Sequence, residues 1–352
     1  MKFDFAIGNP PYQQTSENTS DKPVYNLFMD ATYKAAEKVE LITPARFLFN
    51  AGKTPREWNE KMLNDEHFKV LSYKQTSKEV FPGTDIKGGV AITYRDGENN
   101  FGPIKVFTHI EELRSIKDKV ISKSKTFLDR LVYAPESYRF SSLMHVDHPE
   151  IKYVDSKHGI LSKGHDFDLT TNIFDKLSEI IFFDKEPNDG LEYIRIIGRK
   201  NNARKFMFIR KNYVDNHENL EKWKIILPKS NGSGALGEVL STPLIGEPLI
   251  GEPLIGHTQS FISIGAFDSK FEANALLKYL KTKFARTMLG VLKITQDNKK
   301  GVWAFVPLQD FTSNSDINWN VSVKEIDKQL YKKYGLSPEE VEFIEKNVKE
   351  MS

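Results

Sequence analysis

Asn9-Pro10-Pro11-Tyr12, at the end of the apolar run Phe5-Ala6-Ile7-Gly8, joins residue types able to grip a planar ring that carries an amino group. Two consecutive prolines fix φ and remove two backbone donors, so the carbonyl oxygens there can only accept. An exocyclic amino group donates two hydrogens. The side-chain oxygen of Asn9 and the carbonyl of Pro10 can both accept from it while the Tyr12 ring lies on the face of the bound ring. An Asn-Pro-Pro that merely ends a strand is the plainer alternative; the preceding Phe3-Asp4-Phe5-Ala6-Ile7-Gly8 argues against it. The contacts polarise the amino nitrogen without a covalent nucleophile. The chain has no cysteine, which excludes chemistry that begins with a thiolate attacking a pyrimidine ring.

This tetrapeptide resembles the catalytic loop of DNA amino-methyltransferases, specifically the adenine-N6 enzymes of restriction-modification systems, with the Eco57I-type methylases the nearest family. Lys78-Glu79-Val80-Phe81-Pro82-Gly83 followed by Gly88-Gly89-Val90-Ala91-Ile92-Thr93-Tyr94 resembles the family's later motif. There an aromatic residue before a strand stacks on the second face of the base, which assigns that role to Phe81. Tyr25 to Lys38 looks like the intervening helix, and Leu41 to Phe47 like the next strand and its loop. The resemblance implies transfer of a methyl group from S-adenosylmethionine to an adenine turned out of duplex DNA. An amino group inside the stack cannot reach a catalytic pocket. Asn rather than Ser or Asp as the first residue of the tetrapeptide favours adenine over cytosine.

The elements that must hold these residues follow from periodicity. Apolar strands at Phe3 to Ile7, Val39 to Ile42, Phe68 to Tyr73 and Val90 to Tyr94 alternate with helical stretches, the pattern of an α/β unit. We expect a partial catalytic domain over 1–108, a helical connector over 109–150, and a mixed α+β target-recognition domain over 151–352. By resemblance the first is the C-terminal half of a Rossmann-like methyltransferase sheet. In the family the catalytic strand lies in the middle of the sheet, paired with the first cofactor strand, so Phe3 to Ile7 is expected as an apolar edge. Either a polypeptide encoded upstream carries the cofactor-binding half, or the chain is an inactive remnant. Gly232-Ser233-Gly234-Ala235-Leu236-Gly237 matches G-x-G-x-x-G after the apolar Trp223 to Leu227. The prolines at 243, 248 and 253 forbid the long helix that such a turn must open.

Net charge is +2, with 28% charged and 39% hydrophobic residues. That is a folded composition too nearly neutral to mark a nucleic-acid binder, so any DNA contact must come from locally segregated charge. Arg195 to Lys211 is such a segment, with basic residues at Arg195, Arg199, Lys200, Arg204, Lys205, Arg210 and Lys211 and no acidic one. Its apolar interruptions predict a hairpin turning near Asn201-Asn202. The cations would meet phosphates of double-stranded DNA and the asparagines base edges. Lys283 and Arg286, in an amphipathic stretch from Glu272 to Leu292, are further candidates. Segments at Thr258 to Gly265, Tyr279 to Arg286 and Trp303 to Gln309 resemble the target-recognition region of restriction-modification proteins. A non-catalytic DNA-binding specificity subunit is the alternative function.

No metal site is assigned: Asp189 and Glu192 are spaced like part of a metal nuclease, but Ile194 stands where that site needs lysine. The absent cysteines suit a reducing cytoplasm, and no apolar run long enough for a membrane span or secretion signal occurs. Residues 243–257 read Pro-Leu-Ile-Gly-Glu, Pro-Leu-Ile-Gly-Glu, Pro-Leu-Ile-Gly-His. Their proline and glycine predict an extended surface loop, and the three-fold repetition suggests slippage of a fifteen-nucleotide coding unit that preserves the reading frame. The tail predicts a helix from Lys324 to Tyr334 stopped by Gly335, then a capping box at Ser337-Pro338-Glu339-Glu340 opening a last helix.

Overall fold

The computed structural model describes residues 3–14, 22–50, 52–74, 76–84, 86, 88–108, 110–152, 160–232, 236–243, 246–293 and 296–351. Two compact units divide at Arg114/Ser115.

In the first unit β1 (Phe3–Gly8) runs into the tetrapeptide, and a two-residue ladder, β2 (Gln13–Gln14) with β3 (Lys22–Pro23), follows. Then come α1 (Tyr25–Ala35), β4 (Ala36–Pro44), α2 (Arg56–Asn64), β5 (Phe68–Lys74) and β6 (Val90–Asp96). The sheet order is β1-β4-β6-β5; β1 and β4 are parallel, and β6 runs antiparallel to both β4 and β5. The carboxyl ends of β1, β4 and β5 therefore share one end of the sheet, where α/β sheets place ligands. One face is sealed by Tyr25, Met29, Trp58 and Met62 packing on Val39, Leu41 and Phe68. On β1 the alternate residues Phe3, Phe5 and Ile7 are 69%, 64% and 80% exposed, so its other face and outer edge lie open. The helix expected over 25–38 ends at Ala35, because Ala36 and Lys38 pair with Phe3 and Phe5 of β1. Sheet hydrogen bonds there override the helix propensity of Ala-Glu-Lys.

The second unit begins within α3 (Glu111–Lys123) and continues through β7 (Val132–Tyr133), α4 (Ser142–Asp147) and α5 (Ile173–Leu177). A long hairpin, β8 (Tyr193–Lys200) with β9 (Ala203–Arg210), follows, then β10 (Trp223–Pro228), β11 (Leu249–Gly251), β12 (Ile255–His257) and β13 (Phe261–Phe267). The chain closes with α6 (Lys270–Lys281), α7 (Lys283–Gly290), α8 (Val323–Tyr334) and α9 (Pro338–Asn347). Strand orders are β11-β10-β13-β7 and β12-β8-β9. Tyr138, Phe140, Phe174 and Phe182 centre the larger core, against Ile194, Ile196 and Met207 of the hairpin. Gly335 takes φ 65° after α8, and Ser337 and Glu340 form the capping box of α9. Among the described residues no helix is long and apolar enough to cross a membrane.

The pentapeptide repeat is not an extended surface loop. Its second copy supplies β11, antiparallel to β10, and its third supplies β12, parallel to β8. Ile255 and His257 are buried. Proline and glycine forbid helix there, as expected, yet each copy leaves a three-residue Leu-Ile-Gly or Ile-Gly-His run long enough to pair at a sheet margin.

Candidate functional site

The tetrapeptide emerges from the carboxyl end of β1 with Asn9 and Pro11 exposed and Pro10 and Tyr12 half-buried. The Val24 N–H donates to the Tyr12 carbonyl at 3.1 Å, which ties the loop to the start of α1. The Tyr12 hydroxyl is buried without a hydrogen-bond partner among the described residues, and burial pushes its pKa up. The Asn9 side chain is exposed and makes no hydrogen bond among the described residues.

Phe81 reaches the same end of the sheet by another route. After β5 the chain makes a short helical turn at Ser77–Glu79. The buried Ser77 hydroxyl donates to the Thr84 carbonyl at 2.8 Å and accepts from the Ile86 N–H at 2.8 Å. The Phe81 N–H donates to the Ser77 carbonyl at 2.8 Å. Pinned in this way, Phe81 lies 6.4 Å from Tyr12, centroid to centroid, with ring planes at 67°. The rings meet edge to face, and a base sandwiched between them requires one ring to turn. Arg46, after β4, completes this end: a Cβ on Gly88 would stand 2.5 Å from its Cγ, and Gly88 has φ +88°, so no other residue type fits against it without displacement. Neither Ser77 nor the Arg46–Gly88 packing was flagged by sequence, since a lone serine in a loop carries no periodic signal.

The basic segment forms the expected hairpin. Asn201 and Asn202 have φ 50° and 61°, the left-handed pair of a two-residue turn. Strand alternation, with Arg195 opposite Phe208 and Arg199 opposite Arg204, puts Arg195, Arg199, Arg204 and Arg210 on one face. Lys200 and Lys205 lie on the other. Folding brings acids to most of these cations. Arg195 pairs with Glu252 at 3.1 Å, Lys205 with Asp184 at 2.6 Å, Arg210 with Asp147 at 3.1 Å and Lys211 with Glu221 at 3.0 Å. Lys200 donates to Ser178, and the Asn201 N–H donates to Asp175 at 3.1 Å. At the tip Arg204 donates to the Glu247 carbonyl at 2.9 Å, while the buried Nε of Arg199 has no partner among the described residues. Asn202 is exposed beside them.

Two of the residues expected to contact DNA are held by bonds within the fold. Arg286 is 2% exposed, and its guanidinium donates to the carbonyls of Gly237 (3.0 Å), Lys281 (3.2 Å) and Lys349. Burial draws its pKa down to about 10. It ties chain segments together inside the fold. Lys283 is largely buried and bound to the Glu345 carboxylate at 2.6 Å. Of the glycine-rich hexapeptide, Ser233, Gly234 and Ala235 lie outside the described residues. The preceding β10 is flanked by antiparallel strands, unlike the parallel strand of a nucleotide-binding turn. Asp189 accepts from the Leu191 N–H and the Tyr193 hydroxyl.

Residues 1–81 match the Eco57I restriction-modification methylase family, as the tetrapeptide and the Phe81 motif imply. An uncharacterized adenine-specific methylase of Mycoplasma pneumoniae (strain ATCC 29342 / M129 / Subtype 1) is 33% identical over 106 residues, 29% of this chain and 25% of that protein. Among solved structures, the type IIG restriction endonuclease BpuSI aligns with TM-score 0.33 and 10% identity over 93% of this chain and 48% of its own. The type IIL restriction-modification enzyme MmeI, solved in complex with DNA, aligns with TM-score 0.34 and 9% identity over 98% of this chain and 56% of its own. The match to the curated relative thus spans a quarter of that protein's length.

Proposed function

We propose that the chain is part of an adenine-specific DNA methyltransferase of restriction-modification type, its first unit gripping the base and its second contacting DNA. The observation that carries this is the convergence of Tyr12 and Phe81, 69 residues apart in sequence, at 6.4 Å beside the exposed Asn9. Adenine enters when the Tyr12 and Phe81 rings part. Its amino group then donates one hydrogen to Asn9 Oδ1 and the other to the Pro10 carbonyl, which fixes the nitrogen with its lone pair out of the ring plane. The aromatic faces repay part of the unstacking cost of about a few kcal/mol. At the hairpin tip Arg199 and Arg204 face each other with no carboxylate between them among the described residues; like charges directly opposed across strands are unfavourable. A DNA phosphate relieves that repulsion.

S-adenosylmethionine is the donor that methylases use in general, but the described residues do not fit it alone. Among them no parallel strand leads through a glycine-rich turn into a helix. The open edge of β1 with Phe3, Phe5 and Ile7 is where further strands would pair, carried by a separate upstream polypeptide or by a longer form of the chain. The alternative, a specificity subunit that binds DNA without catalysis, is favoured by that same lack.

The test is transfer of labelled methyl from S-adenosylmethionine to duplex DNA, by the chain alone and with the cofactor-binding half of a related methylase added. Transfer only in the mixture, reduced about 10²-fold or more by Asn9→Ala, supports a composite enzyme. DNA binding with no transfer in either mixture would replace it with the specificity subunit.

A further inference from the structure

The three copies of the pentapeptide are nearly identical in sequence and hold three different places. The third is fixed: β12 pairs with β8 through Ile255, Gly256 and His257, and a Cβ on Gly256 would stand 2.8 Å from Ile196 Cδ1. Only this copy ends in histidine, and His257 is fully buried with Nε2 3.1 Å from the Ser263 hydroxyl. The second is fixed as well. A Cβ on Gly251 would stand 2.8 Å from Ile226 Cδ1, and Glu252 binds Arg195 through its carboxylate.

The first copy differs. Gly246 and Thr242 are hydrogen-bonded partners, the Gly246 N–H donating to the Thr242 carbonyl at 2.8 Å. Thr242 and Gly246 therefore lie together, and Leu244 and Ile245 between them are outside the described residues. Its visible contacts reach the hairpin tip: the Glu247 carbonyl accepts from Arg204, and a Cβ on Gly246 would stand 3.2 Å from the Arg204 guanidinium carbon. Excising five residues there joins points already close, and inserting five lengthens a closed loop, whose entropic cost grows only slowly with length.

We propose that the repeat is a length-adjustable element: its last two copies are structural parts of two sheets, and the copy before them is removable, its Gly246 and Glu247 lying against Arg204. Copy number then has a floor of two, and above it sets how much chain overlies the tip of the basic hairpin. The consequence for DNA rests on the assignment of that hairpin to DNA contact; the floor does not.

The experiment uses the full chain with one, two, three and four copies, and reads thermal unfolding and affinity for duplex DNA at several salt concentrations. Chains with two, three and four copies are expected to melt within a few degrees of one another, while the one-copy chain melts far lower or yields no folded protein. Gly256→Val in the three-copy chain supplies the second measure, lowering the transition by more than excision of residues 243–247 does. The two-copy chain is expected to bind DNA several-fold more tightly than the three-copy chain at low salt, because Arg204 is released. A two-copy chain that melts as low as the one-copy chain or the Gly256→Val variant overturns the floor. Equal affinities for two and three copies, both binding, overturn the covering role. If no version binds DNA, the hairpin assignment and the covering role fall together, and the melting series alone decides the floor.

Discussion

Tyr12 enters the site with a hydroxyl that has no partner among the described residues, so its ring and its oxygen make separable contributions. Tyr12→Phe is expected to leave stability unchanged or slightly raised, since it removes a buried polar atom that bonds to none of the described residues, and to keep base binding. Tyr12→Ala removes the stacking surface, worth about 1–3 kcal/mol per base; affinity for DNA carrying an unpaired adenine at the target position should fall roughly 10- to 100-fold. Equal losses in both variants would mean that the hydroxyl touches the base. Ser77→Ala should weaken the same affinity without touching the base, because the Ile86 N–H loses its acceptor and the loop that holds Phe81 loosens. At this scale the tetrapeptide was legible because Asn-Pro-Pro-Tyr constrains its own backbone. Ser77 was not, since its importance lies wholly in what it bonds to seven and nine residues on.

Among elements, the hairpin and the helix pair α7–α8 show what charge patterning can and cannot reveal. The β8–β9 hairpin was readable because two asparagines between strand-like runs leave few conformations. The acids that meet its cations come from positions as distant as Asp147 and Glu252, and no local window contains them. Arg286 sits in an equally basic stretch and is buried, a fate decided by the carbonyls around it. The two arginines should separate in solution. Arg199→Ala should lessen the salt dependence of DNA binding by about one phosphate contact, near 0.9 in logarithmic slope, with the melting temperature unchanged. Arg286→Ala should lower the melting temperature and leave the slope alone.

Asp327 of α8 opens α7 by accepting the N–H groups of Lys283 and Phe284 at 3.0 and 2.9 Å. Burial holds its carboxyl at about 6, above the ordinary value, against the pull of those donors. The folded state then keeps this proton more tightly than the unfolded chain does. Its contribution to stability is complete below about pH 4 and is lost as pH rises through about 6. Asp327→Asn removes the titration, so the stability of the native chain relative to this variant should fall by about 2 kcal/mol between pH 4 and 7, measured by urea unfolding across that range. A difference that stays constant would show that Asp327 is ionised throughout.

For the whole molecule, the order β1-β4-β6-β5 leaves β1 at an open margin whose side chains are among the most exposed apolar groups described. Such edges recruit other strands. Phe3→Lys and Ile7→Lys should reduce self-association at raised concentration, followed by sedimentation, and should also weaken reconstitution with an added cofactor-binding half. If association is untouched, β1 is not the adhesive surface. The apolar edge was expected from strand pattern and family resemblance together. The fate of the repeat was not, because Pro-Leu-Ile-Gly reads identically in every copy while its neighbours differ. That degeneracy bears on how the molecule reaches its native state. With three copies, the first can thread into the place of β11 and leave a longer connection to β12, so two threadings compete with almost the same side chains in contact. A landscape with two such neighbouring minima is locally frustrated. Refolding of the three-copy chain should therefore carry a minor slow population of mis-threaded molecules, and a chain pared to two copies, with only one way to thread, should fold without it.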